Sequence, residues 1–249
     1  MEKNEKENSS EKAKRITSRP AKEEFGIPAQ LIPNLPQPGA SIPVHKEVLE
    51  KGGILHRCHH LRWQGINFNP GRELLPGDYG ARFSPFKDQG GNLVSYIYAA
   101  SSPQGALSET LFHDLIGHER TGFLSIRPWL CWGMTQLTTK RDLTLVTLKT
   151  ADLYRMGLSK ELFILSDRLV YAQTRQWAKA IYDQNKDVDG YVWKSRQHDD
   201  SDAYIFFGSR VKNEDLAVLK ASTGLFDNNA IIYKIREMAK RLGIMLTDE

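Results

Sequence analysis

The chain reads as an α+β protein built on a mixed, largely antiparallel sheet with flanking helices. Short β-branched and aromatic runs alternate in period two, as in ILHRCHH and NLVSYIYAA. Helical spacing appears in separate blocks, chiefly after SSP and across SDRLVYAQTRQWAKAIYDQ. Strands and helices interleave without the regular crossover repeat of a doubly wound parallel sheet.

At 249 residues and 40% hydrophobic content, the chain suffices for one substantial core. A net charge of +4 with acids and bases intermixed offers no large basic face, so direct nucleic-acid binding is not expected. Cys58 and Cys131 cannot form a disulfide framework. The N-terminal stretch has no apolar signal core, and no run approaches a membrane span. The expectation is a cytoplasmic protein with reduced thiols and no membrane partner.

Residues 1–24 are almost wholly polar, so ordering them would cost entropy without compensating burial, and a flexible tail is expected. Residues 25–50 carry Pro28, Pro33, Pro36, Pro38 and Pro43, which favours an extended arm. That arm can pack on its own domain, on a second copy in a homodimer, or on a partner. A single domain then spans residues 51–249.

In GGILHRCHHLRW, Ile54, His56, Cys58 and His60 share one strand face, and Leu55, Arg57 and His59 the other. FNPGRELLPGDYGARFSP is loop and turn ending at Arg82, and FKDQGGN reads as a hairpin turn. After the strand NLVSYIYAA, Ser102 can cap a helix, Pro103 suits its first position, and Ala106, Leu107, Leu111 and Leu115 follow at helical spacing. That register puts Glu109 one to two turns into a helix. Further strands are expected at FLSIR, LTLVTL, GYVWKS and AYIFFG, and a last helix from 228 to about 241.

Four polar residues beside rigid segments carry the chemistry: Arg82 after a glycine turn, Tyr98 at a strand end, Glu109 among apolar neighbours and Ser195 after GYVWK. Together they suit a phosphorylated nucleoside whose anomeric bond breaks through an oxocarbenium-like state. Each also has an ordinary reading, as surface arginine, core tyrosine, solvated carboxylate or turn serine. Ordinary glycosidases need a second acid, for which only Asp114 and Asp189 offer themselves. Nicotinamide in NAD is already cationic and leaves neutral, so one carboxylate suffices. The triplet His56, Cys58 and His60 lacks a second ligand pair, so no metal is expected. No G-x-G-x-x-G, Walker loop or G-x-S-x-G occurs, so NAD would be a substrate rather than a hydride-carrying cofactor.

The order Arg82 in GARFSP, Tyr98 in YIYAASSP, Glu109 in ALSETLFH and Ser195 in DGYVWKSR resembles the RES domain, named for its Arg, Glu and Ser. Looser similarity runs from ILHRCHH to AYIFF. The resemblance implies an ADP-ribosyltransferase-like fold and an NAD-degrading enzyme, a glycohydrolase or phosphorylase that uses water or inorganic phosphate. It further implies a toxin paired with an Xre-type DNA-binding antitoxin. On that footing Arg82, helped by Arg57, clamps the pyrophosphate and Tyr98 stacks. Glu109 orients ribose and stabilises the cationic transition state, and Ser195 fixes the nicotinamide end. Transfer of ADP-ribose to a macromolecule, or a non-catalytic nucleotide-binding or interaction module, are the alternatives.

Overall fold

A computed structural model describes residues 33–37, 40–115 and 122–248. The strands are β1 (Lys46–Leu49), β2 (Ile54–His60), β3 (Tyr96–Ala100), β4 (Phe123–Ser125), β5 (Trp132–Thr139), β6 (Leu143–Thr147), β7 (Gly190–Lys194), β8 (Asp202–Phe207), β9 (Leu216–Gly224) and β10 (Met245–Thr247). The helices are α1 (Pro103–Ser108), α2 (Thr150–Arg155), α3 (Lys160–Phe163), α4 (Tyr171–Gln184) and α5 (Asn229–Leu242). An eight-stranded sheet has the order β1-β6-β7-β8-β3-β2-β5-β9, and β4 with β10 forms a separate parallel pair. Within the large sheet β6–β7 is parallel and the other neighbours are antiparallel. The expected mixed, largely antiparallel sheet is therefore the observed one.

The tail expected over residues 1–24 lies outside the described residues. The sheet begins earlier than the expected boundary at 51, because Lys46–Leu49 pairs along β6 and closes its outer edge. Before β1, the described part of the arm packs on its own domain. The Trp177 indole donates to the Pro33 carbonyl (2.9 Å), and the Gln184 amide accepts from Ile42 N (2.9 Å) and donates to Ala40 O (3.1 Å). Prolines interrupt this segment's own donor supply, and α4 side chains satisfy its backbone instead.

The two faces of the sheet bury different cores. Leu55, Ile97, Ala99, Leu137, Leu145, Val192 and Phe206 form one, covered in part by Ile66 and Phe68 of the loop after β2. On the opposite face Ala100 and Met134 meet Leu107 of α1, Leu111 just after it, and Ile235 and Met238 of α5. Tyr98, Ile205 and Tyr191 stand directly opposite one another across β3, β8 and β7 and so share this second face. No helix among the described residues is long and apolar enough to cross a membrane.

Helix α1 starts as expected, with Ser102 Oγ accepting from Gly105 N at 3.0 Å and Pro103 at its first position. It ends sooner than expected. Glu109 is its C-cap residue rather than a residue one to two turns inside, and Phe112 N turns back onto Leu107 O (3.1 Å). That turn lets the adjacent side chains of Leu111 and Phe112 both enter the core. A Cβ at Gly105 would meet Ser201 Cβ at 2.6 Å and Ala100 Cβ at 3.1 Å, so only glycine lets α1 lie this close to the β7–β8 turn. Gly105→Ala is expected to lower stability by about 1–3 kcal/mol despite alanine's better helix propensity, read as a reduced urea midpoint at constant slope.

Candidate functional site

Arg82 is held by its neighbours in sequence and by α4. Phe83 is fully buried and packs its ring against Phe163, Tyr191 and Trp193 at 5.5, 6.3 and 5.1 Å between centroids. Thr174 Oγ1 donates to the Arg82 carbonyl at 2.5 Å, and Arg175 donates to the carbonyls of Tyr79 and Ala81. The GARF turn is thus bolted to α4, and the guanidinium it carries is only 3% exposed. That guanidinium donates through Nη2 to Tyr171 Oη (3.2 Å) and lies 5.2 Å from the centre of the Tyr171 ring. Among the described residues no carboxylate lies within ion-pair reach of it, and its Nε has no partner. A buried cation without an anion is costly unless a ligand supplies the missing charge.

Glu109, half-buried at the end of α1, is gripped from the β7–β8 turn. Ser195 Oγ donates to Glu109 Oε1 at 2.8 Å, and Arg196 N donates to the same oxygen at 2.9 Å. Ser195 is fully buried, so its hydroxyl orients the carboxylate. The turn is itself fixed to the start of α1, where the hydroxyls of Ser102 and Ser201 lie 2.5 Å apart. Both ends of α1 are therefore tied to one hairpin tip, and Glu109 inherits its position from that tie.

Arg196 joins the two halves. Its proton affinity is lowered by burial and then by the like charge of Arg82, while Tyr171, Glu109 and Asp167 act in the opposite sense. Its guanidinium also donates to Ser166 O at 3.4 Å. The Tyr171 hydroxyl, bonded to Arg82 and 3.2 Å from His113, links the Arg82 side of the site to the segment just after Glu109. Tyr98 belongs to the Arg82 side as well. Burial raises its phenol well above the ordinary tyrosine value, Ser84 Oγ lies 3.0 Å from its hydroxyl, and the Arg82 charge is felt there. Its ring packs edge-on against Tyr96 (5.6 Å) and Trp193 (6.2 Å), and the shared face of Tyr96 and Tyr98 is as the alternation requires.

Arg57 stands apart. In the β2 register it alternates with His56 and shares the face of Leu55, which is across the sheet from Tyr98. Its Nη1 donates to the carbonyls of Gly65 (2.8 Å) and Asn67 (2.7 Å), and burial lowers its pKa to about 10. In this arrangement it pins the loop after β2. Asp189, considered as a second acid, is bound bidentately by Arg141 at 2.9 and 2.8 Å, and the Asp114 side chain lies outside the described residues. Burial pushes the Cys58 thiol up to about 12, so this strand face presents no thiolate.

Sequence reasoning passed over Tyr171 and Arg196. Tyr171 Oη takes the Arg82 bond and lies 3.2 Å from His113 Nε2, one turn beyond Glu109. Nothing local to LVYAQ announces that role. Arg196, by contrast, adjoins Ser195 in the motif itself.

Buried polar atoms lacking a partner among the described residues include Arg82 Nε, Ser108 Oγ, Ser166 Oγ, Trp193 Nε1, both polar atoms of the Gln197 amide and, on α4, Asp183 Oδ1. Such atoms are few in folded proteins. Two open cavities lie elsewhere, one of about 820 Å³ between α5 and Phe123 and one of about 480 Å³ between residues 34–42 and α4. Neither is lined by Arg82, Tyr98, Glu109 or Ser195, and neither has comparable convergent polar chemistry.

The RES domain family matches residues 54–227, well over half of the chain, and this protein belongs to that family. A chain in the crystal structure of the M. tuberculosis MbcT–MbcA toxin–antitoxin complex is similar in fold, with a TM-score of 0.49 and 15% identity over 78% of this chain and 92% of that one. No curated protein matches.

Proposed function

We propose that this protein cleaves the nicotinamide–ribose bond of NAD, and that it is the toxin of a toxin–antitoxin pair restrained by an Xre-type DNA-binding antitoxin. One observation supports the chemistry above all: a buried guanidinium at Arg82, with no acid in reach among the described residues, shares the Tyr171 hydroxyl with His113, four residues after Glu109, whose carboxylate is already oriented by two donors. The pairing role rests on what membership of the RES family implies.

In this reading Arg82 presents its fork to the pyrophosphate. The C–N bond at the anomeric carbon breaks with its electron pair passing to the pyridinium nitrogen, so nicotinamide leaves neutral without a general acid. Glu109 stabilises the positive charge that grows on the ribose. Water or inorganic phosphate then forms the new C–O bond and releases a proton to solvent. NAD is consumed, and the chain's own residues supply the electrostatics.

Incubation of the purified protein with NAD, with and without phosphate, tests this directly. Free nicotinamide together with ADP-ribose or its phosphate ester is the expected result. Label attached to a macromolecule would mean transfer instead, and NAD binding without turnover would mean a binding module. Tyr171→Phe removes the phenol oxygen that accepts from Arg82 while keeping the ring. It is expected to raise KM for NAD about 2–10-fold, because Arg82 keeps its charge but loses one contact that holds its fork, with kcat little changed, as initial rates would show.

A further inference from the structure

We propose that the Gln197 side-chain amide reads the carboxamide of the nicotinamide group, and so sets a preference for NAD over dinucleotides that carry a carboxylate there. The inference rests on the NAD reading above and names the group that would recognise the leaving base.

Gln197 sits in the turn between β7 and β8. That turn is closed by Ser195 N donating to Ser201 O and by Ser201 N donating to His198 O, both at 2.9 Å. His198 Nδ1 and Ser201 Oγ, 2.8 Å apart, stiffen it further. Residue 196, immediately before Gln197, gives its backbone N–H to Glu109. Successive Cα atoms are about 3.8 Å apart, so the Gln197 side chain starts within one residue of the carboxylate's clamp.

Within this fixed turn, Gln197 Nε2 and Oε1 are both buried and neither has a partner among the described residues. A glutamine amide has two donor hydrogens and an acceptor oxygen to satisfy. Leaving all of them unmet is unfavourable and has no structural return here. Ser108 Oγ, on the residue before Glu109, is buried and unmet in the same way.

A primary amide that lacks both a donor and an acceptor partner has a natural complement in another primary amide, through paired N–H···O contacts. In the NAD reading the nicotinamide group, a planar primary amide, occupies the end of the substrate beside Ser195 and Glu109. A carboxylate in its place offers no donor to Oε1 and adds a negative charge beside Glu109. The geometry therefore selects against the deamidated dinucleotide on two counts.

The test compares NAD with nicotinic acid adenine dinucleotide as substrates for wild type, Gln197→Met and Gln197→Glu. Wild type is expected to favour NAD by about 100-fold or more in kcat/KM, the scale on which a site with polar groups left unpaired rejects an analogue. Gln197→Met should shrink that preference at least about 10-fold, mainly through KM for NAD. Its melting temperature should stay equal or rise, because the amide it removes is unpaired in the free protein. Gln197→Glu keeps an acceptor and repels the carboxylate, so its preference should hold or widen.

An unchanged preference in Gln197→Met, or an equal loss on both substrates with a lower melting temperature, would overturn the assignment. If wild type releases no nicotinamide from NAD, the catalytic reading fails instead. Calorimetric binding of the two dinucleotides to wild type and Gln197→Met then still decides what the amide recognises.

Discussion

Glu109→Gln is expected to lower kcat for nicotinamide release about 10²–10³-fold while leaving the fold intact. The size follows from removing a fixed negative charge at the point where positive charge develops, the same order as removing one preorganised group from an oxyanion hole. The fold is expected to survive because the variant keeps a side-chain oxygen to accept from Ser195 Oγ and Arg196 N, the two bonds that hold residue 109. KM should change far less than kcat, since the charge matters most in the transition state. A progress curve of nicotinamide release beside a thermal melt separates the two effects. Equal rates in wild type and variant would remove Glu109 from the chemistry, and a collapsed melt would mean the carboxylate is a structural bolt.

Ser195→Ala bears on the same point from the other side. Its hydroxyl is fully buried and spends its proton on Glu109. In the structure this hydroxyl orients the carboxylate, whereas a contact at the nicotinamide end is what the resemblance implies. Gln197, two residues further along, carries the buried, unpartnered amide proposed above as the contact at that end.

Period-two alternation separates the two faces of β2, and the Ser102–Pro103 pair of SSP marks the start of α1, because both signals are local. Alternation could not say which face held the site. The family resemblance pairs Arg57 with Arg82, yet one residue of register puts it across the sheet. Strands β5 and β9 carried little signal. TQLTT and KAST are polar, β9 lies at the sheet edge with an exposed middle, and their pairing shifts register between Met134 and Leu137. Apolar spacing predicts Glu109 inside a helix, but Leu111 and Phe112 both demand burial and the helix gives way before them. Tyr171 was out of reach for a different reason. It is 89 residues from Arg82 in sequence, and only tertiary folding makes the pair.

Arg82→Met is expected to weaken NAD binding about 10²–10⁴-fold while leaving the protein as stable as wild type or more so. The two halves of that statement have one cause. In the free protein the guanidinium is buried beside Phe83 and Tyr171 with one hydrogen bond to a phenol, an empty Nε and, among the described residues, no acid. Contact with the Tyr171 ring offsets some of the desolvation, on the scale of about 0.5–2 kcal/mol for such contacts. An unpaired buried charge remains unfavourable, so an apolar side chain of similar length should be tolerated. With dinucleotide bound, the same fork can make two charge-assisted hydrogen bonds to a pyrophosphate, each of about 1.5–3 kcal/mol, and their loss sets the binding range. Arg82→Lys keeps the charge but not the fork, and it should fall between wild type and Arg82→Met in affinity. Calorimetry with NAD and thermal melts of the three proteins would show whether affinity and stability move in opposite directions. If Arg82→Met loses several kcal/mol of stability, the guanidinium serves the fold, and the anion site must be sought elsewhere.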